Sequence, residues 1–406
     1  MSRSAPPKGH NDRRSWHLRT NAVVLFYVTA ALTTLVLRDL LLMPRWLAVH
    51  LLLLGAATNA IVTWSEHFAV ALLRGQAPSR RLSAARLAAL NLAVLGVLVG
   101  VAAQVPSVVV AAATLLVGVV IAHIGSLVLI ARHALMGRFA ATVRFYLVAG
   151  VALVVGVTFG ALMVVGGELA GWHEQLHAAH VHANIFGWVG LSVLGTLFTL
   201  WPTVLRTRMV DGVMAAARRS LWLLTVGLAV SVGGFALDLR WVAVAGLTAY
   251  GVGVGAALQP FVQTWRRKAP HDAAAWSLAG AMIWLVAAVA ADIVLLFRAQ
   301  NVPSYVRNLD GLVPALVVGF VLQTLVGALT YLVPVVRGGG PAVLRISITG
   351  LARGWRVRVV ALNVGVLILA LGGLAWLPTQ LTRAGWVLVG VPVAAFVWLV
   401  ASVLLP

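Results

Sequence analysis

Cysteine is absent from this chain, and charged residues are scarce. With no cysteine among 406 residues, disulfides, iron–sulfur clusters, thiolate copper sites and cysteine nucleophiles are all excluded. Only 10% of the residues are charged, against about 25% in an average soluble domain. Ten acids and thirty bases are too few to cover a soluble protein of this length. Histidine, with eleven copies, remains as the main soft metal ligand beside methionine.

Apolar residues fill most of the sequence instead, with 61% hydrophobic residues and a mean hydropathy of +0.99. Twelve apolar runs are long enough to cross a lipid bilayer as helices. We predict an all-α polytopic membrane protein, in which a basic N-terminal arm, 1–19, precedes one twelve-helix membrane domain, 20–406. The predicted spans are 20–37, 46–73, 86–104, 107–131, 144–167, 178–204, 219–238, 241–263, 274–297, 311–335, 356–376 and 382–405.

The net charge of +20 comes from bases that lie in the short loops between these runs. If the N-terminus is cytoplasmic, 24 of the 30 Lys and Arg residues fall in cytoplasmic segments. This bias agrees with the positive-inside rule and predicts that both termini are cytoplasmic. Bases placed in this way set the topology, so we do not expect nucleic acid as a partner.

A pattern recurs at an interval of 132 residues. His50 is followed by Gly55 and Arg74. At the same offsets, His182 is followed by Gly187 and Arg206. A third copy would begin at Pro314, where the pattern resumes one residue out of step. A repeat of this length in an apolar chain predicts three four-helix units, roughly 20–143, 144–273 and 274–406, led by spans 2, 6 and 10. Glycines eight residues apart on span 6, Gly187 and Gly195, predict a closely packed face.

Histidines are concentrated in the segment 171–184. His173, His177 and His180 are spaced so that one helical stripe would carry all three imidazoles, with Asn184 one turn further on. A continuous helix points His182 to nearly the opposite side. Imidazole suits copper, haem iron, zinc and nickel, so the segment predicts one irregular metal site or two sites. The alternative is a wet outer loop whose histidines titrate freely, but His182 lies within the apolar run, where an ionisable residue is a functional candidate.

Other ionisable residues lie inside or beside the predicted spans. His50 is interpreted as a haem or metal ligand, or else as a structural histidine. Glu66 and His67 are interpreted as interfacial groups or as part of an ion pathway, with His123 as their partner in a second, inner site. Asp292 could pair with a protonated histidine, orient a metal ligand or bind a cation. A structural ion pair with Arg298 is the simpler alternative for Asp292.

The architecture resembles subunit I of haem–copper oxidases, and more closely the NnrS-type haem- and copper-containing membrane proteins. It is also similar to the membrane domain that precedes copper oxidase modules in some actinobacteria. The motifs that carry this resemblance are the segments 50–59, 64–68, 180–188, 199–206 and 327–334. The resemblance implies a bacterial cytoplasmic membrane location, haem and/or copper as cofactor, His50 as a haem ligand and His182 as a cofactor or metal ligand. A cupredoxin-type copper protein or a respiratory complex is then the implied partner, and a homo-oligomer is compatible with it.

The chain departs from the oxidases at two spans. Oxidases of that class need histidines on helices 7 and 10, and the corresponding spans here contain none. A complete oxygen-reducing centre therefore cannot be assembled, and terminal oxidase activity is not expected.

Two functional hypotheses arise from these residues. The preferred one is a haem- and/or copper-binding protein of nitric oxide or copper-linked redox metabolism, with an outer site made of His50, His177, His180 and His182. The alternative is a proton- or ion-linked transporter without a redox cofactor, in which Asp292, Glu66 and His67 titrate inside the membrane. Because the sequence contains no nucleotide-binding loop, nucleophile elbow or paired-carboxylate motif, it gives no support to a kinase or a hydrolase.

Overall fold

Twelve helices are long and apolar enough to cross a membrane, as the sequence predicts. The computed structural model describes residues 8–132, 139–166, 171–338, 340–373 and 377–404, and these residues contain helices and no strand. We number the helices as spans 1 to 12 in chain order. Their bounds are Ser15–Val36, Pro44–Leu73, Arg80–Ala102, Pro106–Ala131, Ala140–Val165, His173–Val204, Val213–Ala236, Arg240–Arg267, Ala273–Arg298, Pro314–Arg337, Trp355–Gly373 and Thr379–Leu404.

Shorter elements connect some of the spans. The helix that contains span 1 begins earlier than predicted, at Lys8, so the described part of the basic arm is helical; residues 1–7 lie outside the described residues. A linker helix, Val302–Leu309, joins spans 9 and 10. It begins at a capping box, in which the Asn301 side chain accepts from the Ser304 backbone and the Ser304 hydroxyl accepts from the Asn301 backbone. Another helix, Gly340–Leu351, comes after span 10.

Spans 2, 6 and 10 each contain a π-helical stretch. These stretches are Leu51–Ala57, Ala183–Leu191 and Pro314–Leu322. The first two begin directly after His50 and His182. Spans 2 and 6 also share an unusual ending, since Arg74 and Arg206 both have a φ of 52°. Because π-helical turns are rare and short in most helices, their presence at matching places marks these three spans as a distinct class.

The chain divides into two compact units. The first comprises Met1–Ala60, His271–Ala281 and Val317–Pro406, and the second comprises Ile61–Pro270 and Met282–Leu316. In the first unit, the aromatic ring of Tyr27 on span 1 packs directly on the backbone of Gly55, where a Cβ atom would lie 2.4 Å from Cδ1. The second unit contains most of the candidate functional residues, including His182 and Asp292.

Span 6 is the most enclosed of the described spans. In its apolar 18-residue stretch, 89% of the residues are buried inside the protein, compared with 28% in span 5. Gly187 and Gly195 both face span 5, where added Cβ atoms would lie 2.4 Å from the Cβ atoms of Ala152 and Phe145. The prediction of a closely packed glycine face on span 6 is therefore confirmed. Such contacts bring helix backbones near each other and strengthen the van der Waals attraction between them. This attraction matters in a membrane, because moving an apolar side chain from lipid to protein gains little free energy.

Spans 7 and 8 approach each other even more closely. A Cβ atom added at Gly246 would lie 2.3 Å from the backbone nitrogen of Ser231, and one at Gly227 would lie 2.4 Å from that of Tyr250. Backbone atoms cannot rotate away as a flexible side chain can. The pairing of these two spans therefore depends on the absence of a side chain at both glycines.

We expect Gly246→Ala to destabilise the protein, because the added methyl group must push the two backbones apart. The cost of such overpacking is about 1–3 kcal/mol. The matched control is Gly255→Ala on the same span, where an added Cβ atom meets nothing within 4 Å. Thermal unfolding of the purified proteins in detergent would measure both. Equal midpoints for Gly246→Ala and Gly255→Ala would contradict the close approach.

Candidate functional site

The centre of the candidate site is the buried imidazole of His182 on span 6. The residue is 1% exposed, and its Nδ1 lies 2.7 Å from the carbonyl oxygen of Ala178 one turn earlier. A carbonyl can only accept, so Nδ1 carries a proton. This bond fixes the ring orientation and directs Nε2 away from its own helix.

Asp292 on span 9 forms a hydrogen bond with Nε2 of His182. Its carboxylate is completely buried, and Oδ2 lies 3.1 Å from His182 Nε2. The hydroxyl of Tyr305, on the linker helix, donates to the other oxygen, Oδ1, and lies 3.3 Å from the same Nε2. Asp292 thus contacts a histidine, while its role as proton partner, orienting group or cation ligand remains a prediction. Its alternative pairing with Arg298 is not the arrangement found.

The His182–Asp292 pair shares one proton. A hydrogen bond at this distance needs a proton either on the Nε2 nitrogen, which gives an imidazolium and a carboxylate, or on Asp292, which gives two neutral groups. Burial raises the pKa of the Tyr305 hydroxyl well above its usual value, and the charge of Asp292 and their hydrogen bond raise it further. Tyr305 therefore remains a proton donor to Asp292.

Aromatic rings surround the imidazole and keep water away from it. The ring of Phe235 lies 4.3 Å from that of His182, centroid to centroid, and stacks on Tyr305 at 5.5 Å. Phe186, on the π-helical stretch, contacts the imidazole edge-on at 5.3 Å. Because these rings lower the local dielectric, the electrostatic coupling between His182 and Asp292 is stronger than it would be in water.

The other histidines of segment 171–184 do not join this centre as one cluster. His173 is exposed and His177 half-buried, with their ring centroids 6.5 Å apart. His180 faces span 5 instead, with Nδ1 2.8 Å from the carbonyl oxygen of Gly156. The Asn184 amide donates to the backbone carbonyl of His180. The predicted stripe is therefore divided between two environments.

His50 lies in the other structural unit. Its ring stacks on Trp46, with centroids 4.1 Å apart, and its Nδ1 lies 2.8 Å from the Trp46 carbonyl oxygen. This bond places a proton on Nδ1 and the lone pair on Nε2 when the ring is neutral.

A second polar cluster involves the residues predicted to form an inner site. Glu66 forms an ion pair with Arg86, at the start of span 3. His123 bonds through Nε2 with the hydroxyl of Ser65, at 2.9 Å. His67 is half-buried beside Trp64. Glu66 and His123 thus have different direct partners, Arg86 and Ser65, while their common inner site remains a prediction.

Tyr305 and Arg86 are functional candidates that the sequence did not identify. Tyr305 lies in a predicted loop, and Arg86 was counted among the cytoplasmic loop bases. A tyrosine beside a buried acid leaves no local pattern, because its partner comes from another helix. The capping box at Asn301 was the one available signal that the loop contains an ordered helix.

The predicted metal site is not assembled within the described residues. Those parts of the chain contain no group of three or more histidine or acidic side chains placed to hold a metal ion. At His182 both ring nitrogens contact protein groups, so a metal at Nε2 would have to displace Asp292. The assignment of His182 as a cofactor or metal ligand and the cofactor itself both remain predictions.

Comparison with known proteins adds no further assignment. No protein-family model matches the chain, and no curated protein is significantly similar to it. The resemblance to the NnrS-type proteins consequently rests on the quoted motifs alone.

We expect Tyr305→Phe to destabilise the protein by about 1–3 kcal/mol, the usual cost of leaving a buried hydrogen-bonding group without its partner. The comparison variant is Tyr250→Phe, which removes one bond to a neutral acceptor, the carbonyl oxygen of Phe186. Thermal unfolding in detergent should show a larger loss for Tyr305→Phe, because its acceptor is a carboxylate. A smaller loss than for Tyr250→Phe would show that the bond to Asp292 contributes little.

Proposed function

We propose that this protein is a multi-pass membrane carrier that couples transport to a proton held by His182 and Asp292. The observation that carries the proposal is the fully buried imidazole–carboxylate pair, supported by the Tyr305 hydroxyl. Ionisable residues inside a membrane domain are costly and are typical of proton relays and transport pathways. The low dielectric around the pair keeps it overall neutral, so that a proton can be added or removed only together with a structural change.

The matching π-helical stretches of spans 2, 6 and 10 support an internal threefold repeat. Repeats and interrupted helices are common in secondary transporters, where binding sites lie at the irregular segments. In the proposed topology both termini are cytoplasmic and the protein lies in a bacterial cytoplasmic membrane. His182 then lies near the outer face, and the pair exchanges its proton with that side.

A sudden change of buffer pH should produce a movement of charge across the liposome membrane that depends on Asp292. Protein reconstituted into liposomes on a solid-supported membrane would be exposed to a rapid change of pH, and the transient current recorded. We expect a current above that of protein-free liposomes, and its loss in Asp292→Asn, because the amide cannot take up a proton. Asp238→Asn is the control, since it removes an exposed loop carboxylate at a φ of 55°, which asparagine tolerates.

An undiminished current in Asp292→Asn would overturn this proposal, as would the absence of a current in the wild-type protein. Unfolding midpoints of both variants distinguish loss of the proton site from loss of the fold.

Haem or copper binding at His50 is the second candidate function. The bond from Nδ1 to the Trp46 carbonyl favours the tautomer in which Nε2 can ligate a metal, a common arrangement for metal-binding histidines. A bound haem or copper would add electron transfer to the protein. This function does not require His182, whose two nitrogens already contact protein groups.

The optical spectrum and metal content of protein from cells grown with added haem and copper test this second function. We expect a Soret band or bound copper in the wild-type protein and its loss in His50→Ala. His271→Ala is the control, because His271 is exposed in the loop before span 9. A colourless wild-type protein without copper would exclude the redox function and leave the proton-linked one.

A further inference from the structure

A second cluster of buried polar residues lies in the unit formed by Ile61–Pro270 and Met282–Leu316. We propose that it is a hydrated proton-exchange site centred on Glu66, and we call it the Glu66 site. Its members are Ser65 and Glu66 on span 2, Ser83 and Arg86 on span 3, and His123 and Ser126 on span 4. Its role within a carrier rests on the proposed function, whereas its ability to bind a proton and water does not.

Glu66 is held as a carboxylate by two donors. Arg86 Nη2 contacts Oε2, and the Ser83 hydroxyl donates to Oε1 at 2.9 Å. The side chains of Arg86 and Glu66 are 5% and 15% exposed, so the pair is largely removed from water. Buried ion pairs gain little stability over apolar packing, because both charges lose their hydration. A functional role for this pair therefore has to be considered beside a structural one.

His123 lies beside this pair and is 2% exposed. Its Nε2 bonds with the hydroxyl of Ser65, which precedes Glu66 on span 2. A neutral imidazole can accept a proton at one nitrogen and release one from the other, as in a relay.

Three polar atoms of the Glu66 site have no hydrogen-bond partner among the described residues. They are Arg86 Nε, His123 Nδ1 and Ser126 Oγ. All three residues are more than nine-tenths buried, and His123 and Ser126 share one face of span 4. Buried polar atoms are almost always satisfied, often by an internal water molecule. Three unsatisfied atoms on buried residues of the Glu66 site therefore indicate bound water as its ligand.

Tyr146 connects the Glu66 site to the span that carries His182. On span 5, it belongs to the same buried apolar cluster as Ala69 and Leu127, which lie about one turn beyond Glu66 and His123 on spans 2 and 4. Its hydroxyl bonds with that of Thr196 on span 6, at 2.8 Å. In the proposed topology Glu66 lies near the inner face and His182 near the outer face, so the two sites would serve opposite sides of the membrane.

The proton step exchanges one partner of Glu66 for another. A hydronium ion in the site transfers its proton to the Glu66 carboxylate, which leaves a water molecule and a neutral carboxylic acid. Arg86 then loses its counter-charge and turns toward the bound water. Transfer of the proton back to water restores the carboxylate and the ion pair.

Infrared difference spectra between acidic and alkaline buffers test this inference directly. Purified protein in liposomes should show a carboxylic-acid C=O band that is lost completely in Glu66→Gln, which keeps an acceptor for Ser83. Asp211→Asn is the control, because it removes an exposed loop carboxylate outside the site. Spectra identical for wild type and Glu66→Gln would overturn the inference, because Glu66 would then not take up a proton.

Bound water is tested separately with Ser126→Ala, which leaves the ion pair intact. The water O–H bands that shift in H₂¹⁸O should weaken in this variant, and unchanged bands would contradict a hydrated site. This variant also keeps the inference testable if Glu66→Gln does not fold. The Glu66 band decides the second proton site, whereas the current that depends on Asp292 decides the proposed carrier function, so the two can fail independently.

Discussion

The structure depends on the need to satisfy every ionisable group that is removed from water. His182 and Asp292 come from spans 6 and 9, and neither could remain buried without the other. Their contact determines where the linker helix must lie, because Tyr305 donates to the second carboxylate oxygen. The rings of Phe186 and Phe235 pack against His182 and shield the His182–Asp292 pair from water, which would weaken their attraction.

The π-helical stretches explain how span 6 presents its side chains to different neighbours. A residue inserted into a helix rotates all later turns by about 100° relative to the preceding ones. The stretch that begins at Ala183 comes directly after His182. Before it, His180 faces span 5 and His182 faces span 9. Gly187 within the stretch and Gly195 after it both face span 5, so one helix carries a polar site and a tightly packed surface.

The buried groups have different chemical consequences at the two sites. At His182 the positive and negative partners can both become neutral when one proton moves between them, so the pair stays neutral overall in either form. At Glu66 the positive partner is an arginine, which remains charged at any physiological pH. A proton there must break the ion pair, and this requirement couples proton binding to a movement of Arg86.

Sequence alone is enough to predict the membrane class, the twelve spans and the positions of His182 and Asp292 inside them. Apolar run length and the rarity of charge in such runs are local properties, so they can be read without knowing which helices touch. Only the tertiary structure decided the partners: Tyr305 for Asp292, Arg86 for Glu66 and Ser65 for His123. It also divided the predicted histidine stripe, since His180 faces span 5 whereas His173 is exposed. Pairing between helices depends on rotation, depth and backbone approach, and these are set by packing over the whole chain.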